Sequence, residues 1–86
     1  MSTVYILKGA NSNYYIGSTK DFVRRLYYHQ KGFVKATRNN RPLKVAYTQE
    51  YSRLVDARRV EYKLKRFKNK RIIDKIVMEQ EIRLGP

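Results

Sequence analysis

The chain has 86 residues, room for one small core and no second domain, and folding at that size removes only about 60 to 65% of the unfolded surface from water. Twenty Lys and Arg against seven Asp and Glu leave a net charge of +13, so polyanions, phosphate backbones first among them, are the expected partners. The absence of cysteine excludes a disulfide framework and a thiolate zinc site, and a single histidine argues against a multi-ligand metal cage. No stretch approaches the roughly 20 apolar residues of a spanning helix, and Met1-Ser2-Thr3 runs straight into a strand pattern without a signal-peptide core. The expectation is a cytoplasmic protein with no membrane segment.

From Thr3 to Lys8, Val4 and Ile6 alternate with Tyr5 and Leu7, the period of a strand covered on both faces. Gly9-Ala10-Asn11-Ser12-Asn13 supplies turn residues, and Tyr14 to Ser18 reads as a second strand. The two strands are expected to form an antiparallel hairpin around a three-residue loop at Gly9 to Asn11, which sets Tyr5 across from Tyr15. Opposed residues share a face, so both hydroxyls fall on one side of the sheet.

Asp21 can cap a helix whose core stripe is Phe22, Leu26 and His29 or Gln30, ending before Gly32. At 100° per residue Arg25 and His29 lie near that stripe, whereas Arg24 points away, so Arg25 alone of the pair can look inward. Residues 32–42 read as a basic loop, and Leu43, Val45 and Tyr47 alternate with Lys44, Ala46 and Thr48 in a third strand that Pro42 enters. A helix from Arg53 to Arg66 is expected to bury Ala57, Val60, Leu64 and Phe67, with Glu61 beside the stripe and able to project into a site. A last helix, Lys70 to Ile82, carries Ile72, Ile73, Ile76, Val77 and Gln80 on one side and serves packing.

Tyr5, Tyr15, Arg25, His29 and Glu61 are the candidate site. Phosphodiester hydrolysis needs a proton acceptor for water, positive charge on the phosphate and often a divalent cation. Arg25 offers a planar fork of donors to nonbridging oxygens. Glu61 is an oxygen ligand suited to Mg²⁺ or Mn²⁺, since Mg²⁺ commonly takes one or two carboxylates and leaves its other positions to water and phosphate. A phenol, titrating near about 10, needs neighbouring cationic charge to act as a base at neutral pH.

The order of these residues, with Val4-Tyr5-Ile6 and Tyr15-Ile16-Gly17 on two strands and Asp21-Phe22-Val23-Arg24-Arg25-Leu26-Tyr27-Tyr28-His29 on the first helix, resembles the GIY-YIG nuclease family over nearly the whole chain. The resemblance implies an α/β (α+β) fold, a three-stranded antiparallel sheet flanked by helices, in a single domain of residues 1–86. It implies Tyr5 as general base, Tyr15 as the tyrosine of the second motif, Arg25 as the catalytic arginine, His29 next to the reacting phosphate and Glu61 as ligand of one metal ion. Arg41-Pro42, Ala57, Leu64 and Lys65 look most like the small stand-alone bacterial branch related to the nuclease domain of the UvrC repair protein. A metal-dependent endonuclease acting on DNA, in repair or recombination, is what the resemblance implies. The chain departs from the pattern in two places: Thr3-Val4-Tyr5 replaces Gly-Ile-Tyr, and Asn69 comes too soon after Glu61 to match the asparagine many relatives carry. With no appended DNA-binding domain, little sequence preference is expected.

Other readings of the same residues remain open. Strand tyrosines by default pack a half-buried sheet face, and Glu61 among Arg58, Arg59, Lys63 and Lys65 is explained by an intrahelical ion pair worth a few tenths of a kcal/mol. A noncatalytic basic nucleic-acid-binding module would use Lys20, Lys31, Lys35, Arg38, Arg41 and the run 63–71 on phosphates, with tyrosines stacking on bases. A basic adaptor for an acidic protein is a further possibility.

Overall fold

A computed structural model describes residues 1–67 and 69–85; Lys68, inside the basic run 63–71, and Pro86 lie outside the described residues. Three strands, β1 (Ser2–Lys8), β2 (Tyr14–Thr19) and β3 (Lys44–Tyr51), and three helices, α1 (Phe22–Gln30), α2 (Leu54–Phe67) and α3 (Lys70–Glu79), follow in the order β1-β2-α1-β3-α2-α3. The strands form one antiparallel sheet in the order β2-β1-β3, which leaves β2 at an edge. The fold is thus the α+β arrangement expected from the sequence, with a single sheet between helices.

The alternation in β1 decides the two layers. Val4 and Ile6 face α2 and α3 and form a core with Ala57, Val60, Leu64, Ile73, Ile76 and Ile82. Tyr5 and Leu7 face the other way, with Leu43, and α1 covers them through Phe22 and Leu26. Central β1 therefore has both faces buried, as its apolar run predicts. Asp21 caps α1 by accepting from the Arg24 backbone N–H at 3.1 Å, and Gly32, at φ +81°, turns the chain off its end. Pro42 enters β3, and Gln30 clasps the neighbouring residue by donating from Nε2 to the Leu43 carbonyl at 2.9 Å.

The hairpin differs from expectation. Its connection is Gly9 to Asn13, closed by the Gly9 N–H on the Asn13 carbonyl at 2.9 Å with Ser12 in the left-handed region at φ 67°. Lys8 pairs with Tyr14, so Tyr5 lies across from Gly17, and Tyr15 from Leu7. The two extra loop residues shift the register by two. An even shift preserves the face of every side chain, so both tyrosines still share the α1 side.

Three further expectations are corrected. Phe67 is exposed, and the buried stripe of α2 ends on Leu64. Helix α3 stops at Glu79, where Gln80 takes the left-handed conformation, and Ile82 reaches the core from beyond the helix. Residues 32–42 are more than a basic loop: they contain a short 3-10 turn, Arg38–Asn40, and Thr37 is 1% exposed.

Candidate active site

Tyr5, Tyr15, Arg25, His29 and Glu61 all line one cleft of about 660 Å³. The cleft wraps around the edge strand β2 and draws on both sheet faces.

On the α1 face lies a buried polar network. The Tyr5 hydroxyl sits 3.0 Å from His29 Nε2 and accepts from Arg25 Nε at 3.3 Å. His29 is 4% exposed, and its Nδ1 lies 2.8 Å from Thr37 Oγ1. The directions of these bonds follow from what each group can do. Arginine only donates, and the tautomer with the imidazole proton on Nδ1 lets the Tyr5 hydroxyl donate to His29 Nε2. That N–H donates to Thr37, whose hydroxyl turns to the Val34 carbonyl at 3.5 Å. Burial, reinforced by the Arg25 guanidinium, holds His29 below the usual imidazole value of 6.5, so the ring is neutral at pH 7 and its Nε2 lone pair is free to accept. Arg24, one residue away, lies on the outer face of α1 and bonds Tyr28, as the helical period requires.

Gly17 is a condition of this geometry. It stands across from Tyr5 in the ladder, and a Cβ placed on it would run into the Tyr5 hydroxyl and ring. The phenol lies over the strand because the side chain opposite is missing. Tyr15, on the same face, accepts from Asn40 Nδ2 at 2.6 Å, which keeps its own proton for an acceptor in the cleft.

Glu61 arrives from the opposite face. Ser18 pairs with Val4 and so points to the α2 side, where its hydroxyl donates to Glu61 Oε1. Glu61 Oε2 lies 2.7 Å from the Lys65 ammonium one helical turn on, and the carboxylate side chain is 18% exposed. Because β2 is an edge strand, a side chain from beneath it reaches the same cleft as the tyrosines above it. Asn69 lines this cleft too, and its Oδ1 caps α3 by accepting from the Arg71 N–H at 2.9 Å.

Thr37, Asn40 and Ser18 join the site without having been candidates in the sequence. Thr37 and Asn40 sit in an aperiodic loop and give no signal. Ser18 was accessible in principle, since strand parity places it beneath Gly17, toward the helix that bears Glu61.

Residues 1–74 match the model of the GIY-YIG catalytic domain. The chain belongs to the GIY-YIG family. All five candidate residues fall inside the matched span, in a family that is generally one of nucleases. A UPF0213 protein of Streptococcus pneumoniae serotype 4 is 39% identical over 66 residues, covering 76% of this chain and 67% of that protein. A UPF0213 protein of Halobacterium salinarum is 33% identical over 66 residues, covering 76% of this chain and 86% of that one. The solution structure of a UPF0213 protein from Bacillus halodurans superposes with a TM-score of 0.60 at 28% identity, over 93% of this chain and 87% of its own. This GIY-YIG chain therefore shares both sequence and fold with small proteins of its own size class. Among the described residues, no helix is long and apolar enough to cross a membrane.

The donor set at Glu61 suits a hard divalent cation. Among the described residues no three His or acidic groups cluster, and Glu61 with the Ser18 hydroxyl is the oxygen pair the cleft offers a cation. A site with one carboxylate leaves most positions to water and substrate, which is how Mg²⁺ is commonly held. The Lys65 ammonium against Glu61 shows that positive charge is already accommodated there.

Proposed function

We propose that this protein is a metal-dependent endonuclease that hydrolyses phosphodiester bonds in DNA. The observation that carries the proposal is the Tyr5 hydroxyl, held between the Nε2 lone pair of a neutral, buried His29 and the Nε–H of Arg25, in the cleft that Glu61 shares. In this reading water attacks phosphorus while its proton passes to the Tyr5 oxygen and the Tyr5 proton passes to His29 Nε2. The new O–P bond forms as the bond to the 3′ oxygen breaks, and that oxygen takes a proton from solvent, leaving a 5′ phosphate. Arg25 uses Nε on Tyr5, and its terminal NH₂ groups, free of protein partners among the described residues, are left to grip the nonbridging oxygens. Fixing Nε this way aims the fork before the substrate arrives. Glu61 and Ser18 would hold the Mg²⁺ or Mn²⁺ ion, which supplies charge neutralisation on the phosphate and the leaving oxygen. The resemblance of Arg41-Pro42, Ala57, Leu64 and Lys65 to the small bacterial branch related to the UvrC nuclease domain is what extends the proposal to repair or recombination, in the cytoplasm.

A noncatalytic nucleic-acid-binding module is the competing reading, and the Lys65–Glu61 pair is what favours it, since an ordinary i, i+4 ion pair needs no metal. The two are separated by incubating labelled DNA with the protein and Glu61→Ala, each with Mg²⁺, Mn²⁺ or chelator. The nuclease cuts only with metal and only with Glu61 in place, and the variant binds DNA as well as the parent or better. Binding without cutting under every metal would establish the module instead.

A further inference from the structure

The outer face of α1 carries an exposed cluster of rings and cations that the cleft does not use. Helical spacing places Arg24, Tyr27, Tyr28 and Lys31 on the side opposite Phe22, Leu26 and His29. The left-handed Gly32 then folds Phe33 back, so that its N–H donates to the Tyr28 carbonyl at 3.0 Å and its ring lies 6.0 Å from that of Tyr28. Tyr27 and Tyr28 are 6.1 Å apart, centroid to centroid. Arg24 lies over Tyr28 at 5.4 Å and Lys31 over Tyr27 at 5.6 Å. Tyr27 is 53% and Phe33 69% exposed, so this is a contiguous aromatic surface with a charge at each of two rings.

We propose that this face is a stacking platform for unpaired nucleotides of a single-stranded DNA segment lying next to the phosphate in the cleft. The proposal rests on the nuclease reading and names its substrate class. Three features argue for it. Phe33, 69% exposed and without a cation over its ring among the described residues, and the exposed part of Tyr27 can stack on bases whose own faces are free, whereas bases inside a duplex are stacked on each other and present only their edges. Arg24 and Lys31 match the phosphates between such bases and carry the same sign as the whole chain. Helix α1 also delivers Arg25 and His29 to the cleft from its other side, and Val34, next to Phe33, lines the cleft. Phe33 thus stands one residue along the chain from the lining of the cleft.

The test is binding under chelator, where no cutting occurs, to an oligothymidylate of about 16 nucleotides, to an abasic strand of the same length and to a duplex. The parent protein is expected to prefer the oligothymidylate to both other probes at equal salt. Tyr27→Ala and Phe33→Ala are each expected to weaken it by about 5- to 150-fold, the range of one lost base–aromatic stack, with little effect on the duplex. Tyr27→Phe, which keeps the ring, is expected to bind like the parent. Both positions are exposed, so unchanged circular dichroism confirms that the variants are folded. Equal binding of the abasic strand and the oligothymidylate would overturn the platform, as would alanine variants that bind like the parent, and the face would then belong to a protein partner or a duplex backbone. Because metal is absent, failure of this test leaves cutting untouched, and failure to cut leaves the platform standing.

Discussion

The two sides of the cleft are built on opposite principles. On the α1 side, Tyr5, His29 and Thr37 are buried and joined in one hydrogen-bonded chain, with the His29 pKa lowered by burial. On the α2 side, Glu61 is partly open to solvent and already paired with an exposed lysine. A dry, rigid network suits proton transfer, since its groups need no reorganisation and water does not compete for them. A wet carboxylate with an exchangeable counter-charge suits a cation that must come and go. The sheet keeps the two apart, and the edge of β2 lets both line one cleft.

The sharpest way to break this contrast is Tyr5→Phe, which deletes the one hydroxyl shared by His29 and Arg25. Cleavage is expected to fall about 10²- to 10⁴-fold, the ordinary contribution of a positioned acid–base group, while an electrophoretic shift assay shows DNA bound as before. A pH profile of cleavage probes the same network. The folded value of His29 is depressed below 6.5, so both its lone pair and its contribution to stability are fully present above 6.5 and are lost as pH falls through the folded value. The rate is expected to drop about tenfold per pH unit below that point, and a profile flat to acid would remove His29 from the proton path.

Thr37→Val sharpens the positioning role of the loop. It keeps the shape but removes the acceptor for Nδ1–H, and an activity loss of roughly tenfold or more is expected, at the low end of acid–base effects. The chain has one histidine, so its ¹⁵N shifts report the tautomer without assignment: Nδ1 protonated in the parent and in Thr37→Ser, mixed in Thr37→Val. Unchanged tautomer in the valine variant would show that Thr37 only fills space. The smallest effect is expected on the α2 side. Lys65→Met removes the ammonium that competes for Glu61, and Mn²⁺ affinity measured by electron paramagnetic resonance without DNA should rise roughly two- to five-fold, the scale of an exposed helix ion pair. Weaker Mn²⁺ binding in that variant would mean that Lys65 supports the site rather than contests it.

Residue types, local periods and net charge were legible in the chain itself. Strand parity put Tyr5 and Tyr15 on one face, and it did so despite a register two residues from the expected one, because the face depends only on whether the shift is odd or even. The helical period separated inward Arg25 from outward Arg24, and of the four basic neighbours that could pair with Glu61 along the helix the structure selects Lys65. Tertiary structure alone decided that Thr37 reaches His29 and Asn40 reaches Tyr15, since a loop without a repeat carries no record of where its side chains point once its ends are joined. It also decided that Glu61, on the far side of the sheet, shares a cleft with Tyr5, which follows from the place of β2 at the edge and from Gly17, where no side chain bars the way. Periods of 2 and 3.6 residues are local properties of the backbone and survive in a one-dimensional sequence, whereas a meeting of residues far apart in the chain depends on how the elements close on one another.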